Sequence, residues 1–216
     1  MPTKKYKNII WDWNGTLLND LWLSVEIANQ MLADQNSSQI DTAAYQDAFG
    51  FPITAYYEKI GIDLQKESFD ELTEKFVTTY NKGVINCQLH ERVMDLLNHF
   101  QATAKTQFIL TAAHSDMVNP LLEKFSITAY FKVIEGVDNF KAEGKVDRGV
   151  QMMKNNQLNP EETVLIGDTY HDFEVASAMG IDCIMIANGH QSKERLTNNT
   201  NPQTLVLNEL KELILS

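Results

Sequence analysis

Apolar positions fall along this chain in two patterns. Short apolar-rich runs at residues 7–11, 106–110, 131–135, 163–166, 182–187 and 204–207 have the length of buried strands and end at glycine or polar turns. Between them the apolar residues recur at helical spacing. Leu21, Val25, Ala28 and Leu32 share one face of a helix predicted to reach about residue 35, with Asp20 placed as its N-cap. Further helices are predicted over 41–49, 54–60 and 67–80, divided by Gly50-Phe51-Pro52 and Gly61. Later ones fall at 91–101, 115–125, 146–156 and 170–179, the last ending at Gly180 as a C-cap, and a final helix follows residue 207.

The patterns divide the chain. Residues 17–83 are wholly helical and interrupt a second pattern, in which strand and helix alternate from residue 91 onward. Alternation of this kind implies an α/β fold with a parallel sheet covered on both faces. No internal repeat or low-complexity tract stands out, and the run 197–201 reads as a polar loop.

Length and charge narrow the picture. The 216 residues suffice for one sizeable core, or a core and a small second domain, and a formal net charge of -11 argues against nucleic-acid or acidic-membrane partners. Cys87 and Cys183 have neither zinc-site nor disulfide-framework spacing and are expected to be reduced thiols. The apolar run before Asp12 is too short for a signal peptide or membrane span, so a cytoplasmic protein, monomeric or homodimeric, is expected.

In a parallel sheet, ligands collect beyond the carboxyl ends of the strands. Four of those ends carry chemistry. The first is Asp12-Trp13-Asn14-Gly15-Thr16, where Gly15 permits a tight turn whose N–H groups can hold anionic oxygens. The second is Thr111-Ala112-Ala113-His114, the third a loop leading to Lys145, and the fourth Gly167-Asp168-Thr169-Tyr170-His171-Asp172. Taken singly, Asp12 is equally a turn former, Thr111 a helix cap and Lys145 a surface lysine. In order, each at a strand end, they point to one site.

This ordered set resembles the haloacid dehalogenase-like superfamily over essentially the whole chain, in its phosphoglycolate phosphatase-like branch with an all-helical cap. Most members are magnesium-dependent phosphohydrolases. The resemblance implies a Rossmann-like three-layer core with a mainly parallel sheet, formed by residues 1–16 and 84–216, and a helical cap over 17–83. It implies a small phosphorylated metabolite as substrate and Asp12 as the nucleophile that attacks phosphorus. A carboxylate attacking an anionic phosphoryl group needs a hard cation with oxygen ligands, which Asp12 and Asp168 can supply. By resemblance the cation is Mg²⁺, the main-chain carbonyl of Asn14 is a further ligand, and Asp172 binds it directly or through water. The Thr111 hydroxyl, the Lys145 ammonium and backbone N–H groups at Gly15, Thr16 and Ala112 suit the phosphoryl oxygens. Lys145 is preferred to Lys141 because it directly precedes the helix carrying Val146, Val150 and Met153, as the family's lysine does.

One position departs from the family's commonest phosphatase pattern. Asn14 stands where a second Asp usually protonates the leaving alkoxide, and an amide has no proton to give at neutral pH. Three consequences are open: good leaving groups such as acyl phosphates or phosphoanhydrides, a substitute acid with His114 and His171 as candidates, or slow turnover in a binding or regulatory protein. Phosphotransfer to an acceptor is a further alternative, and dehalogenation is disfavoured by the metal-suited carboxylates. Asn14-Gly15 is also a sequence prone to deamidation. In the helical segment, Phe51, Tyr56 and Tyr57 either line a pocket or pack the bundle. No arginine is placed to clamp a second anion there, although Lys59 and Lys66 are within the segment.

Overall fold

The computed structural model describes residues 1–137 and 144–214. The chain enters through β1 (Asn8–Trp11), turns, and forms a two-residue strand β2 (Leu18–Asn19). Four helices follow: α1 (Leu21–Asp34), α2 (Thr42–Ala48), α3 (Ile53–Ile60) and α4 (Phe69–Gly83). The chain returns through β3 (Gln88–Leu89), which pairs antiparallel with β2. From there α5 (Val93–Ala102), β4 (Thr106–His114), α6 (Ser115–Lys124), β5 (Phe131–Val137) and α7 (Lys145–Asn155) alternate. The chain continues with β6 (Thr163–Gly167), α8 (Tyr170–Met179), β7 (Asp182–Ile186), α9 (Lys193–Asn199) and β8 (Leu205–Leu207).

The six-stranded sheet is parallel throughout and ordered β5-β4-β1-β6-β7-β8. β1 is therefore central, with Trp11 in register with Ile109 of β4 and Ile166 of β6. The chain builds outward from β1 on one side before crossing to the other, which makes the carboxyl end of β1 the natural ligand crevice. Side chains of β1 alternate between the faces as a strand requires: Ile9 and Trp11 join one buried cluster, Ile10 the other. The second cluster packs Phe108, Leu110 and Leu165 against Met152 and Met153 of α7 and Val175, Ala176 and Met179 of α8. The α/β architecture with both sheet faces covered matches the sequence pattern.

Several elements differ in extent from the pattern. β4 continues to His114, because Ala112 and Ala113 still satisfy a strand where the apolar run had ended at Leu110, so Thr111 lies in the strand. The polar run 197–201 is largely helical, since Ser192 caps α9 by accepting from the Arg195 N–H and Leu196 is buried beneath it. Among the described residues after β8, a short 3₁₀ turn, Leu210–Leu213, forms in place of the expected helix. Lys141 lies outside the described residues.

The helices between β2 and β3 rest on the carboxyl edge of the sheet and are tied to it by polar contacts. Gln46 donates to the Gly189 carbonyl at 2.7 Å, and Gln191 donates to the Phe49 carbonyl at 2.8 Å. Arg195 donates to the carbonyls of Gln46 and Phe49.

Candidate functional site

Two central strands and the helix after one of them deliver their carboxylates to one point. Asp12 follows β1, Asp168 follows β6 and Asp172 lies in the first turn of α8, and each offers an oxygen within 4.8 Å of the others. All are buried, Asp168 completely. Lys145, the first residue of α7, donates to Asp12 Oδ1 and to Asp172 Oδ1, each at 2.5 Å. The other oxygen of Asp172 accepts from the Thr169 N–H at 3.0 Å and the Thr169 hydroxyl at 2.8 Å, fixing the start of α8 and the position of Lys145 together.

Asp168 is held as firmly. The Thr16 hydroxyl donates to its Oδ1 at 2.8 Å and the His190 N–H to its Oδ2 at 2.6 Å. Gly15 has φ +72°, and a β-carbon there would collide with the Asp168 carboxylate, so the turn requires glycine for both conformation and space. Thr111 is buried beside the site and its hydroxyl accepts from the Ala113 N–H at 3.1 Å. Asp12, Asn14, Thr111, Ala112 and Lys145 all line one cavity of about 190 Å³.

The electrostatics follow from three buried carboxylates with few cations among them. Burial pushes the Asp12 carboxyl well up, with Asp172 and Asp168 adding to the push against the pull of Lys145. Burial likewise raises Asp168, to about 6, against the favourable His190 charge. Asp172 also suffers burial, yet Lys145 and the Thr169 donors outweigh it and lower its pKa. Lys145 is raised, because the two carboxylates more than offset its desolvation. A hard divalent cation would relieve the carboxylate repulsion and find only oxygen donors, so this donor set fits magnesium.

A second buried network adjoins the first. Asp20 stands at the N-cap position of α1 but its side chain makes no capping bond, contrary to the role its position suggested. It turns inward instead. Its Oδ1 accepts from the Gly15 N–H at 2.8 Å, and its Oδ2 accepts from Asn14 Nδ2 at 2.8 Å and from the Tyr80 hydroxyl at 2.7 Å. Asn14 Nδ2 also donates to the Tyr80 oxygen at 2.6 Å. His190 Nε2 lies 3.2 Å from Asp20 Oδ1, and its Nδ1 lies 3.1 Å from the Tyr45 hydroxyl. Burial disfavours the imidazolium, but Asp20 and, farther off, Asp168 and Asp12 favour it and push His190 up to about 9. Burial works to raise Asp20, but the His190 charge and the bonds from His190, Tyr80 and Asn14 bring it below its ordinary value.

His190 and Tyr80 escaped the sequence reading. His190 had a usable signal, since Asn188-Gly189-His190 follows β7 and is one more strand end. Tyr80 had none, being one aromatic on an amphipathic helix. His114 and His171 line the cavity with other partners: His114 Nδ1 accepts from the Asp116 N–H at 3.2 Å, capping α6, and His171 Nδ1 sits 3.1 Å from Glu174. Phe51, Tyr56 and Tyr57 line the same cavity, and Tyr56 and Tyr57 are also part of the buried core. No helix among the described residues is long and apolar enough to cross a membrane.

The chain is similar to proteins of known name. A 5′-nucleotidase of Pseudomonas aeruginosa is 24% identical over 200 residues, covering 89% of this chain and 87% of that one. A phosphoglycolate phosphatase of Pseudomonas fluorescens is 23% identical over 222 residues, covering 99% and 80%. The fold superposes on the crystal structure of a predicted phosphatase from Clostridium acetobutylicum with a TM-score of 0.80, 19% identity and 96% of both chains covered. The haloacid dehalogenase-like hydrolase family model matches residues 9–186, which run from β1 through β7 and contain Asp12, Asn14, Thr111, Lys145, Asp168 and Asp172, but not His190. The chain belongs to the haloacid dehalogenase-like hydrolase family.

Proposed function

We propose that this protein is a magnesium-dependent phosphohydrolase of small phosphorylated metabolites, with Asp12 as the nucleophile. The observation that carries the reading is the Asp12–Lys145–Asp172 chain beside Asp168, buried at the ends of adjacent strands and open to a cavity. The relatives named as a phosphoglycolate phosphatase and a 5′-nucleotidase act on phosphate esters, which supports the same chemistry. Asp12, Asp168 and the Asn14 carbonyl would hold Mg²⁺. When bound, the ion offsets charge on the phosphoryl group and on the carboxylates. Asp172 has both oxygens engaged by Lys145 and Thr169, which favours an indirect, water-mediated part in that set.

The chain's own residues do the rest. Lys145 favours the ionised form of Asp12 against burial and the neighbouring carboxylates, and offers its ammonium to a phosphoryl oxygen. The Thr111 hydroxyl and the N–H groups at Thr16 and Ala112 receive the remaining oxygens; the Gly15 N–H, expected to join them, is instead taken up by the Leu18 carbonyl and Asp20. Asp12 attacks phosphorus, and water then cleaves the aspartyl-phosphate. Residues 17–83 serve as a cap that covers the cleft, excludes water and contacts the leaving group. Asn14 cannot act as the general acid, so a phosphate-binding role with weak catalysis is the second reading. Phosphate release from sugar phosphates, nucleotides, phosphoglycolate and acetyl phosphate, with and without Mg²⁺ and in Asp12→Asn, separates the two. Turnover lost in the variant supports the enzyme, and binding without turnover supports the alternative.

A further inference from the structure

The cavity has two chemically distinct ends. At the sheet end stand Asp12, Asp20, Lys145 and the histidines. At the other end, Ala28, Met31, Phe69, Phe76, Val77 and Tyr56 form the wall, and every lining residue contributed by the helices α1 to α4 is uncharged. The lysines within reach by sequence are engaged elsewhere: Lys59 bonds Asp47 at 3.1 Å, and Lys66 bonds the Gln35 carbonyl at 3.2 Å. Neither lines the cavity. The polar groups on that wall are largely committed too, Thr73 to the Phe69 carbonyl at 2.7 Å and Tyr80 to Asp20 at 2.7 Å.

A second anion set against the helical wall would thus be buried with no lysine or arginine on that wall to meet it, a desolvation cost without return. A flat apolar group would instead meet aromatic faces; Phe76 itself stacks on Tyr80 at 5.6 Å. Size limits the choice. An apolar cavity of about 150 Å³ accommodates benzene, so about 190 Å³ shared with a phosphoryl group leaves room for one ring.

We propose that this cavity takes an aryl monophosphate, a phosphate ester of a single-ring, uncharged phenol, with the ring between α1 and α4 and the phosphoryl group at Asp12 and Lys145. This rests on the phosphohydrolase reading and gives it a substrate class. It also accounts for Asn14. A phenol ionises near pKa ~10, as tyrosine does, so a phenolate departs with far less need of a proton donor than an alkoxide. An Asp12 oxygen bonds to phosphorus as the bond from phosphorus to the aryl oxygen breaks, and the electron pair leaves on the phenolate. Water then attacks the phosphoryl group, restoring the Asp12 carboxylate and releasing inorganic phosphate. The proton from that water reaches the phenolate through solvent.

The test is binding of non-hydrolysable phosphonates to the full chain in Mg²⁺ by titration calorimetry. Phenylphosphonate is expected to bind at least about tenfold more tightly than methylphosphonate and phosphonoacetate, a preference of the size one buried ring gives. Phosphonoacetate binding as tightly as phenylphosphonate, or tighter, overturns the proposal. Val77→Arg should turn the preference toward phosphonoacetate; if that variant does not fold, Phe76→Leu should cut the phenyl-over-methyl ratio several-fold. An unchanged ratio in a folded variant also overturns it. Acetyl phosphate, which has a good leaving group and needs no ring pocket, tests the hydrolase reading separately. Failure to release phosphate from it removes the enzyme, while the phosphonate series still decides the pocket.

Discussion

The amide of Asn14 donates to the carboxylate of Asp20 at 2.8 Å, and both are closed over by the Tyr80 hydroxyl. Position 14 is therefore built around a donor. Ionised aspartate there would face a second buried carboxylate across the same distance, its charge in conflict with Asp20.

We expect Asn14→Asp alone to destabilise the fold by about 1–3 kcal/mol, the cost of setting an unmatched buried polar group against Asp20. It should also fail to raise turnover of alkyl phosphates. Adding Asp20→Asn should recover most of the stability, because the donor and acceptor are then exchanged. Urea unfolding of the two variants and the pair measures the coupling. Independent, additive losses would show that the contact does not matter.

The same contact bears on deamidation at Asn14-Gly15. Ring closure needs the Gly15 nitrogen to reach the Asn14 side chain, but that N–H is held by the Leu18 carbonyl at 2.9 Å and by Asp20 at 2.8 Å. Native protein should therefore deamidate at Asn14 much more slowly than urea-unfolded protein, as read by peptide mapping over days. Equal rates would contradict this.

Part of the candidate site was legible because β1 and β6 run directly into candidate residues. Asp12 closes the run Ile9-Ile10-Trp11, and Asp168 follows the run ending at Ile166-Gly167. Lys145 stood out for its place just before an amphipathic helix. Asp20 misled because Asp before a helix has a ready local use as a cap, whereas here long-range partners compete successfully for it. Tyr80 and Asp20 lie 60 residues apart, and no local pattern joins them. α9 was hidden because its Thr and Asn residues favour loops on their own, and the burial of Leu196 decides otherwise.

His190 should make stability depend on pH in the metal-free protein. Its pKa when folded, about 9, exceeds the unfolded value of ~6.5. Its contribution is therefore complete below about pH 6.5 and is lost as pH rises through about 9. We expect the stability gap between wild type and His190→Gln to shrink by about 1–3 kcal/mol between about pH 6 and pH 9.5 in chelator. A constant gap would mean that folding leaves the His190 pKa at its unfolded value.

Lys145 is the main cation for Asp12 and Asp172. Lys145→Met should cost about 3–5 kcal/mol in the absence of metal, since it leaves two buried carboxylates facing each other. Mg²⁺ should raise the melting temperature of this variant by more than it raises that of wild type, because the ion then replaces a missing charge. In Asp168→Asn the magnesium-dependent rise should largely vanish. Equal shifts in all three proteins would argue against a metal held by these carboxylates.

The most direct test of Asp12 as nucleophile is release of phosphate from acetyl phosphate by wild type and by Asp12→Asn, each with Mg²⁺ and with chelator. Acetyl phosphate needs no proton donor at position 14, so it isolates the attack itself. The site described here predicts magnesium-dependent release by wild type and a fall of at least about 10³-fold in the variant, as expected when a covalent nucleophile is lost. Equal rates in wild type and Asp12→Asn would contradict it.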